Sequence, residues 1–185
     1  LQEKNSNLLK SYCLENKTIL IAASTSWAKQ KGFDDYIKLA ELLSPEKVIV
    51  LVGLPDRLKK ILPSNIVGVS RTENIHQLAS WYATADVVLN LSYQESFGLT
   101  SVEGFMCGKP SIVYNATASP ELIVDSKLGV IVTPGDVYSV NQAVDTLTNS
   151  EINHTHIREI AIKNYGANSQ YSKYISLYKS ILGLK

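Results

Sequence analysis

The sequence predicts an α/β fold: a doubly wound, Rossmann-like parallel sheet of about six strands with helices on both faces. Short, mostly β-branched apolar runs alternate along the chain with longer segments whose apolar residues recur at helical spacing. The run at residues 48–52 is apolar throughout and lacks the alternation of a half-exposed strand. Strands buried on both faces are typical of a parallel sheet covered by helices, so the two observations indicate the same class.

The elements follow in order along the chain. We predict strands at residues 18–23, 47–52, 66–69, 86–91, 111–114 and 129–132. We predict helices at residues 33–43, 54–62, 75–84, 100–107, 119–126 and 137–148. Gly108 and Pro110 end the fourth helix, and Pro134-Gly135 follows the last strand, as chain-breaking residues do. The tyrosine-rich tail, from about residue 157 to 182, predicts one or two further helices.

Composition bounds the kind of protein. The 185 residues fit one packed domain, and 18 Lys plus Arg nearly balance 17 Asp plus Glu. We therefore expect no nucleic-acid partner, and any phosphate site must be local. No apolar run approaches the roughly 18–20 residues of a membrane span, and the distant cysteines Cys13 and Cys107 are expected to be reduced thiols. These features favour a cytoplasmic protein, with at most peripheral membrane contact through the full-length protein.

Two strand-to-helix junctions carry the candidate site, because ligands of open parallel sheets bind beyond the carboxyl ends of the strands. The first junction, residues 24–32, lacks the G-x-G-x-x-G pattern, which argues against a Rossmann NAD or FAD domain. Its Lys29 and Lys31 either bring charge to a phosphate or are solvated loop lysines.

The second junction, which follows the strand at 86–91, combines Gly98 with two glutamates, Glu95 and Glu103. Amides at the start of the next helix can bind a diphosphate, whereas ionised carboxylates accept hydrogen bonds from sugar hydroxyls. A nucleotide sugar matches this layout. Two other interpretations stay open from the residues alone. The glutamates simply favour the helix dipole, or they form the acid and base of a glycoside hydrolase, which leaves the phosphate-binding elements unexplained.

The segment from Glu95 to Pro110 resembles the E-x7-E motif and following G-x-P of retaining glycosyltransferases of the GT-B fold, family 4. Further matches fall in the expected order and extend the resemblance from about residue 17 to 182; they are Lys31-Gly32, residues 50–53, Ala85-Asp86, Ser119-Pro120-Glu121 and residues 129–136. The resemblance implies that the chain is the C-terminal half of a GT-B fold.

The resemblance also implies residue roles. Glu103 would hold the ribose hydroxyls, Glu95 the transferred sugar, and Lys31 the diphosphate as it leaves. Val69 and Arg71 lie in the segment against which the base usually rests. The amides that would bind the sugar and diphosphate are those of Phe97, Gly98, Leu99 and Thr100.

The chain departs from the family pattern at three places. Ala23-Ser24 stand where Gly-Arg is common, so one positive contact to the diphosphate is missing. Gln30 occupies a place where some relatives have arginine, and Lys29 could compensate for it. Gly104 replaces the common alanine after the second glutamate, a change that slightly weakens a helix.

The resemblance implies a three-part organisation. Residues 1–16 would end an interdomain connection, residues 17–165 would form the nucleotide-sugar-binding domain, and residues 166–185 would form a helix crossing back to an N-terminal domain absent from this chain. The expected reaction transfers a sugar, with retention, from an NDP-sugar (most simply UDP- or GDP-linked) to a saccharide or lipid-linked acceptor, and this chain alone should be inactive. No metal or other cofactor is expected. The alternatives are a GT-B-type nucleotide-sugar epimerase or phosphorylase, or a non-catalytic nucleotide-binding or scaffolding domain.

Overall fold

The computed structural model describes residues 4–184, so residues 1–3 of the expected connection and residue 185 of the expected last helix lie outside the described residues. The strands are β1 Thr18–Ala23, β2 Lys47–Val52, β3 Ile66–Val69, β4 Val87–Asn90, β5 Ser111–Tyr114 and β6 Gly129–Val132. They form one six-stranded sheet in the order β3-β2-β1-β4-β5-β6, and every neighbouring pair is parallel. The predicted doubly wound class is therefore confirmed. The strand order reverses between β1 and β4, which opens a crevice at their carboxyl ends.

Helices cover both faces of the sheet. They are α1 Ser6–Ser11, α2 Phe33–Leu42, α3 Asp56–Lys59, α4 Ile75–Thr84, α5 Leu99–Met106, α6 Val137–Thr148, α7 His154–Tyr165 and α8 Ala167–Ile181. Short 3₁₀ turns occur at Lys29–Lys31 and Ser119–Leu122. The tail thus contains two helices, whereas neither α1 nor the first 3₁₀ turn was predicted from the sequence.

Strand β4 is one residue shorter at each end than the predicted strand at 86–91, because at each end a side chain replaces one backbone hydrogen-bond partner. The Asp86 carboxylate accepts a hydrogen bond from the amide of Ile19 at 2.9 Å. At the other end, the amide of Leu91 donates to the hydroxyl of Tyr36 at 3.2 Å.

Two predicted helices are much shorter than expected. In the segment 54–62, extended backbone at Pro55 delays the start of α3, which is only four residues long. In the segment 119–126, the 3₁₀ turn ends at Leu122, and the side chain of Asp125 then accepts a hydrogen bond from the amide of Lys127 in a following turn. Three helix ends differ from the prediction by one residue: the end of α2 and both ends of α5.

Alternate residues of each strand pack on opposite faces of the sheet. Leu20 and Leu89 face the helices on one side, whereas Ile19, Ile21 and Val88 face those on the other, and all five side chains are fully buried. This double burial explains why the strands appear as continuous apolar runs in the sequence.

Helix α8 differs from the other long helices because none of its residues is buried. One stripe along it is apolar and exposed, and consists of Tyr171, Tyr174, Ile175, Leu177, Tyr178 and Ile181. Within residues 4–184, no helix has the length and apolarity that a membrane span requires.

Candidate functional site

A cavity of about 520 Å³ opens at the carboxyl ends of β1 and β2 and at the start of α5, within the crevice formed by the strand order. Eight of the nine sequence-predicted site residues line it: Lys31, Arg71, Glu95, Phe97, Gly98, Leu99, Thr100 and Glu103. The fold therefore brings the two junctions together around one space.

Val69 is the predicted site residue that does not line the cavity. Its side chain is buried in the core, and its carbonyl accepts a hydrogen bond from the amide of Leu54 at 2.9 Å. The wall at this end comes instead from residues that sequence reasoning missed, among them Ile75 and Leu78 of α4 and Gly53 after β2. At Gly53 (φ 82°) a Cβ would lie 2.1 Å from the carbonyl oxygen of Ser24, which explains why glycine is needed.

The start of α5 provides an anion-binding edge. Gly98 precedes the helix in a left-handed conformation (φ 87°), and the first helical hydrogen bond runs from the amide of Ser101 to the carbonyl of Gly98 at 3.1 Å. The amides of Leu99 and Thr100 thus come before the first intrahelical bond, where a helix presents donors and positive partial charge. The hydroxyl of Thr100 donates to the carbonyl of Ala23 at 2.8 Å and so joins the helix start to the end of β1.

Lys31 and Glu95 form an ion pair in the cavity wall, with 2.6 Å between Nζ and Oε1. Their side chains are only 28% and 12% exposed, so Lys31 is not a solvated loop lysine. The amide of Tyr93 donates to the carbonyl of Gln30 at 2.8 Å, which ties the two loops together beside the pair. Lys29, by contrast, is exposed and does not line the cavity, so the structure does not support its compensating role.

A buried carboxylate anchors the loop that carries Glu95. Asp35, at the start of α2, is 3% exposed, and its Oδ2 accepts hydrogen bonds from the hydroxyls of Tyr93 at 2.6 Å and Tyr114 at 3.0 Å. The hydrogen bond to Asp35, together with partial burial, raises the pKa of Tyr93 to about 12. No local sequence pattern predicts this cluster, because its three members come from distant segments.

Glu103 lies one helical turn into α5 and lines the cavity. Its Oε2 accepts a hydrogen bond from the hydroxyl of Tyr82 at 2.9 Å. Burial raises the pKa of Glu103 above its ordinary value, and the hydrogen bond from Tyr82 opposes that rise.

The charges around the cavity are mixed. Among the described residues that line it, Lys31 and Arg71 are cationic, whereas Glu73, Glu95 and Glu103 are anionic. Side chains alone therefore do not make the cavity positive, and the α5 start must supply much of any attraction for a phosphate. Within residues 4–184, no group of three or more His, Cys, Asp or Glu side chains is placed to hold a metal ion.

Known proteins resemble the chain over most of its length. The sequence profile described as glycosyl transferases group 1 matches residues 6–164. An uncharacterized 41.2 kDa protein in the cps region of Klebsiella pneumoniae is 31% identical, over 97% of this chain and 52% of that protein. The N-acetyl-alpha-D-glucosaminyl L-malate synthase of Bacillus anthracis is 24% identical, over 95% of this chain and 49% of the enzyme. The chain thus spans about half the length of these two relatives.

Solved structures give the same fold. HepE from Anabaena, in complex with UDP-glucose, has a TM-score of 0.77 at 22% identity, over 92% of this chain and 52% of that one. A glycosyltransferase from Rickettsia africae has a TM-score of 0.79 at 21% identity, over 95% of this chain and 51% of that one. At such low identity the likeness shows the fold alone, and it confirms the predicted Rossmann-like half of a GT-B architecture.

Proposed function

Because the chain belongs to the glycosyl transferases group 1 family, we propose that it is the donor-binding domain of a retaining glycosyltransferase. The full protein would transfer a sugar from a nucleoside-diphosphate sugar to a saccharide or lipid-linked acceptor. One observation carries the proposal: an α5 start with free donors, the Lys31–Glu95 pair and Glu103 surround a single cavity at the reversal of strand order.

Each part of a nucleotide sugar finds a chemical complement in this cavity. The amides of Leu99 and Thr100 suit the diphosphate, and Lys31 would offset the charge that develops on it as it leaves. Glu103 would accept the two ribose hydroxyls, and Glu95 the hydroxyls of the transferred sugar. The complex of HepE with UDP-glucose supports a UDP-linked donor, although GDP remains a second choice.

We further propose that the acceptor is held mainly by a second domain of the full protein. The relatives are about twice as long as this chain, and no described residue covers the apolar stripe of α8. In this proposal, residues 166–185 cross back to that domain, residues 1–16 connect to it, and the chain alone binds donor without turnover. The complete enzyme would be cytoplasmic, with at most peripheral membrane contact.

Calorimetric titration of the chain with UDP, GDP and ADP tests the proposal. We expect one of these nucleotides to bind, and Glu103→Ala to weaken its affinity about tenfold or more, since hydrogen bonds to a charged group contribute about 1.5–3 kcal/mol. Glu41→Ala is the matched control, because Glu41 is an exposed helical glutamate outside the cavity. The site assignment fails if none of the three nucleotides binds, or if Glu103→Ala and Glu41→Ala behave alike.

A further inference from the structure

Tyr82 is a buried polar residue directly beneath the candidate site. It belongs to α4, its side chain is 1% exposed, and it packs in the core against the face of the sheet that carries Val88. Its hydroxyl donates a hydrogen bond to Oε2 of Glu103 at 2.9 Å, from one helix to the next. A buried hydroxyl needs a partner, and here the partner is a side chain of the cavity wall rather than the backbone.

The hydrogen bond fixes which part of Glu103 is available to a ligand. A carboxylate has two oxygens and about four acceptor sites, so a donor on Oε2 leaves Oε1 and the remaining sites free for hydroxyl groups. The ring of Tyr82 cannot move away, because it is enclosed in the core. One rotamer of Glu103 is therefore selected before any ligand arrives, which lowers the entropy cost of binding.

The hydrogen bond also affects the charge on Glu103. Burial raises the pKa of the Glu103 carboxyl, and the hydrogen bond from Tyr82 lowers it, so the bond favours the ionised acceptor. Burial and the nearby charge of Glu103 raise the pKa of Tyr82 well above its ordinary value, so Tyr82 stays protonated and remains a donor.

We propose that Tyr82 is a positioning residue for ribose recognition, which holds Glu103 in the rotamer that receives the ribose hydroxyls. The inference rests on the proposed donor site and adds to it a residue that contacts no ligand itself. In this arrangement, the affinity for the ribose depends on a tyrosine in the core, whereas the affinity for the phosphates does not.

The first test is Tyr82→Phe, which keeps the ring and removes only the hydroxyl. We expect UDP to bind about 5- to 20-fold more weakly, because Glu103 then loses the hydrogen bond that holds its rotamer and favours its charge. In a Glu103→Ala background, Tyr82→Phe should cause no further loss, because its effect passes through the carboxylate. Tyr165→Phe is the matched control, since that tyrosine hydroxyl donates to the carbonyl of Leu122 at 2.9 Å and not to a cavity residue.

A ribose-specific readout separates positioning from a general loss of structure. The nucleotide 2′,3′-dideoxyuridine diphosphate lacks both hydroxyls and should bind the wild type and Tyr82→Phe equally. The pH dependence of UDP binding should also differ between the wild type and Tyr82→Phe. Without the hydrogen bond the pKa of Glu103 rises further, so UDP binding to Tyr82→Phe should be lost at a higher pH than in the wild type.

The pKa of the Glu103 carboxyl, followed by NMR with no nucleotide present, tests the inference independently of the proposed function. We expect it to be higher in Tyr82→Phe than in the wild type, and an unchanged value overturns the positioning role even if UDP does not bind. Equal losses for UDP and its dideoxy form, or additive losses in the double variant, also overturn it. Failure of UDP, GDP and ADP to bind the wild type instead contradicts the donor site itself.

Discussion

Gly104 offers a sharp test of how α5 packs on the sheet. A Cβ placed on Gly104 would lie 2.4 Å from Cγ2 of Val88, a contact too short for real side chains. Alanine in place of glycine favours a helix by about 1 kcal/mol, but an extra methyl group in a packed core costs about 1–3 kcal/mol. Val88 is fully buried on β4, and β4 is fixed between β1 and β5, so we expect the cost to lie near its upper limit. The net loss should be about 1–2 kcal/mol.

Thermal unfolding of Gly104→Ala measures this balance. A domain of this size should lose about 2–4 °C in Tm for each kcal/mol, so we expect a decrease of about 2–8 °C. The double variant with Val88→Ala makes room for the new methyl group, and its loss should be smaller than the sum of the two single losses. A Gly104→Ala protein as stable as the wild type, or a strictly additive double variant, would refute the packing argument. The family's common alanine would then be acceptable here.

Three further predictions concern the site. In calorimetry, Lys31→Ala should weaken the binding of UDP about tenfold but that of uridine less than twofold, because only the diphosphate needs the positive charge. Lys29→Ala is the control and should change neither affinity. Equal losses of affinity for the two ligands would contradict the role assigned to Lys31. Asp35 holds the pKa of Tyr93 at about 12, so the stability from this bond is complete below the ordinary pKa of 10.0 and is lost as the pH rises through about 12. Tyr93→Phe should therefore show a smaller loss of stability over that interval in urea unfolding, and an unchanged pH profile would exclude the bond. Gly98→Ala should destabilise the chain by about 1–2 kcal/mol and weaken UDP binding, since φ is 87° and the new Cβ would lie 2.8 Å from a leucine methyl group; unaltered Tm and affinity would contradict this.

The fold could be predicted largely from local patterns, and the errors have local causes. Residues 18–23 and 47–52 were predicted with their observed bounds because β-branched side chains buried on both faces leave a continuous apolar run. The segment 119–126 was predicted as a helix from its apolar spacing, but only one 3₁₀ turn forms there. Spacing alone did not show that the Asp125 side chain competes for the backbone in this segment.

The site was less predictable because its geometry depends on strand order. Lys31 and Glu95 are 64 residues apart, and they meet only because β1 and β4 are neighbours in the sheet. Sequence reasoning assigned the two residues to different parts of the ligand and did not predict the ion pair between them. The hydrogen bond from Tyr82 to Glu103 was missed for a similar reason. It depends on how α4 packs against α5, and no local sequence pattern predicts that contact.

In the proposed function, the ion pair would give the cavity a basis for distinguishing donor from product. Without ligand, Lys31 and Glu95 satisfy each other at 2.6 Å, so a diphosphate that attracts Lys31 must compete with Glu95. A nucleotide sugar can offset this loss, because its sugar hydroxyls donate to Glu95 while Lys31 turns to the phosphates. A nucleoside diphosphate without sugar leaves Glu95 unpaired beside the new negative charge, at a cost in this partly buried setting. In the proposed function, the same pair therefore favours binding of the intact donor and, once the sugar has been transferred, favours release of the nucleotide.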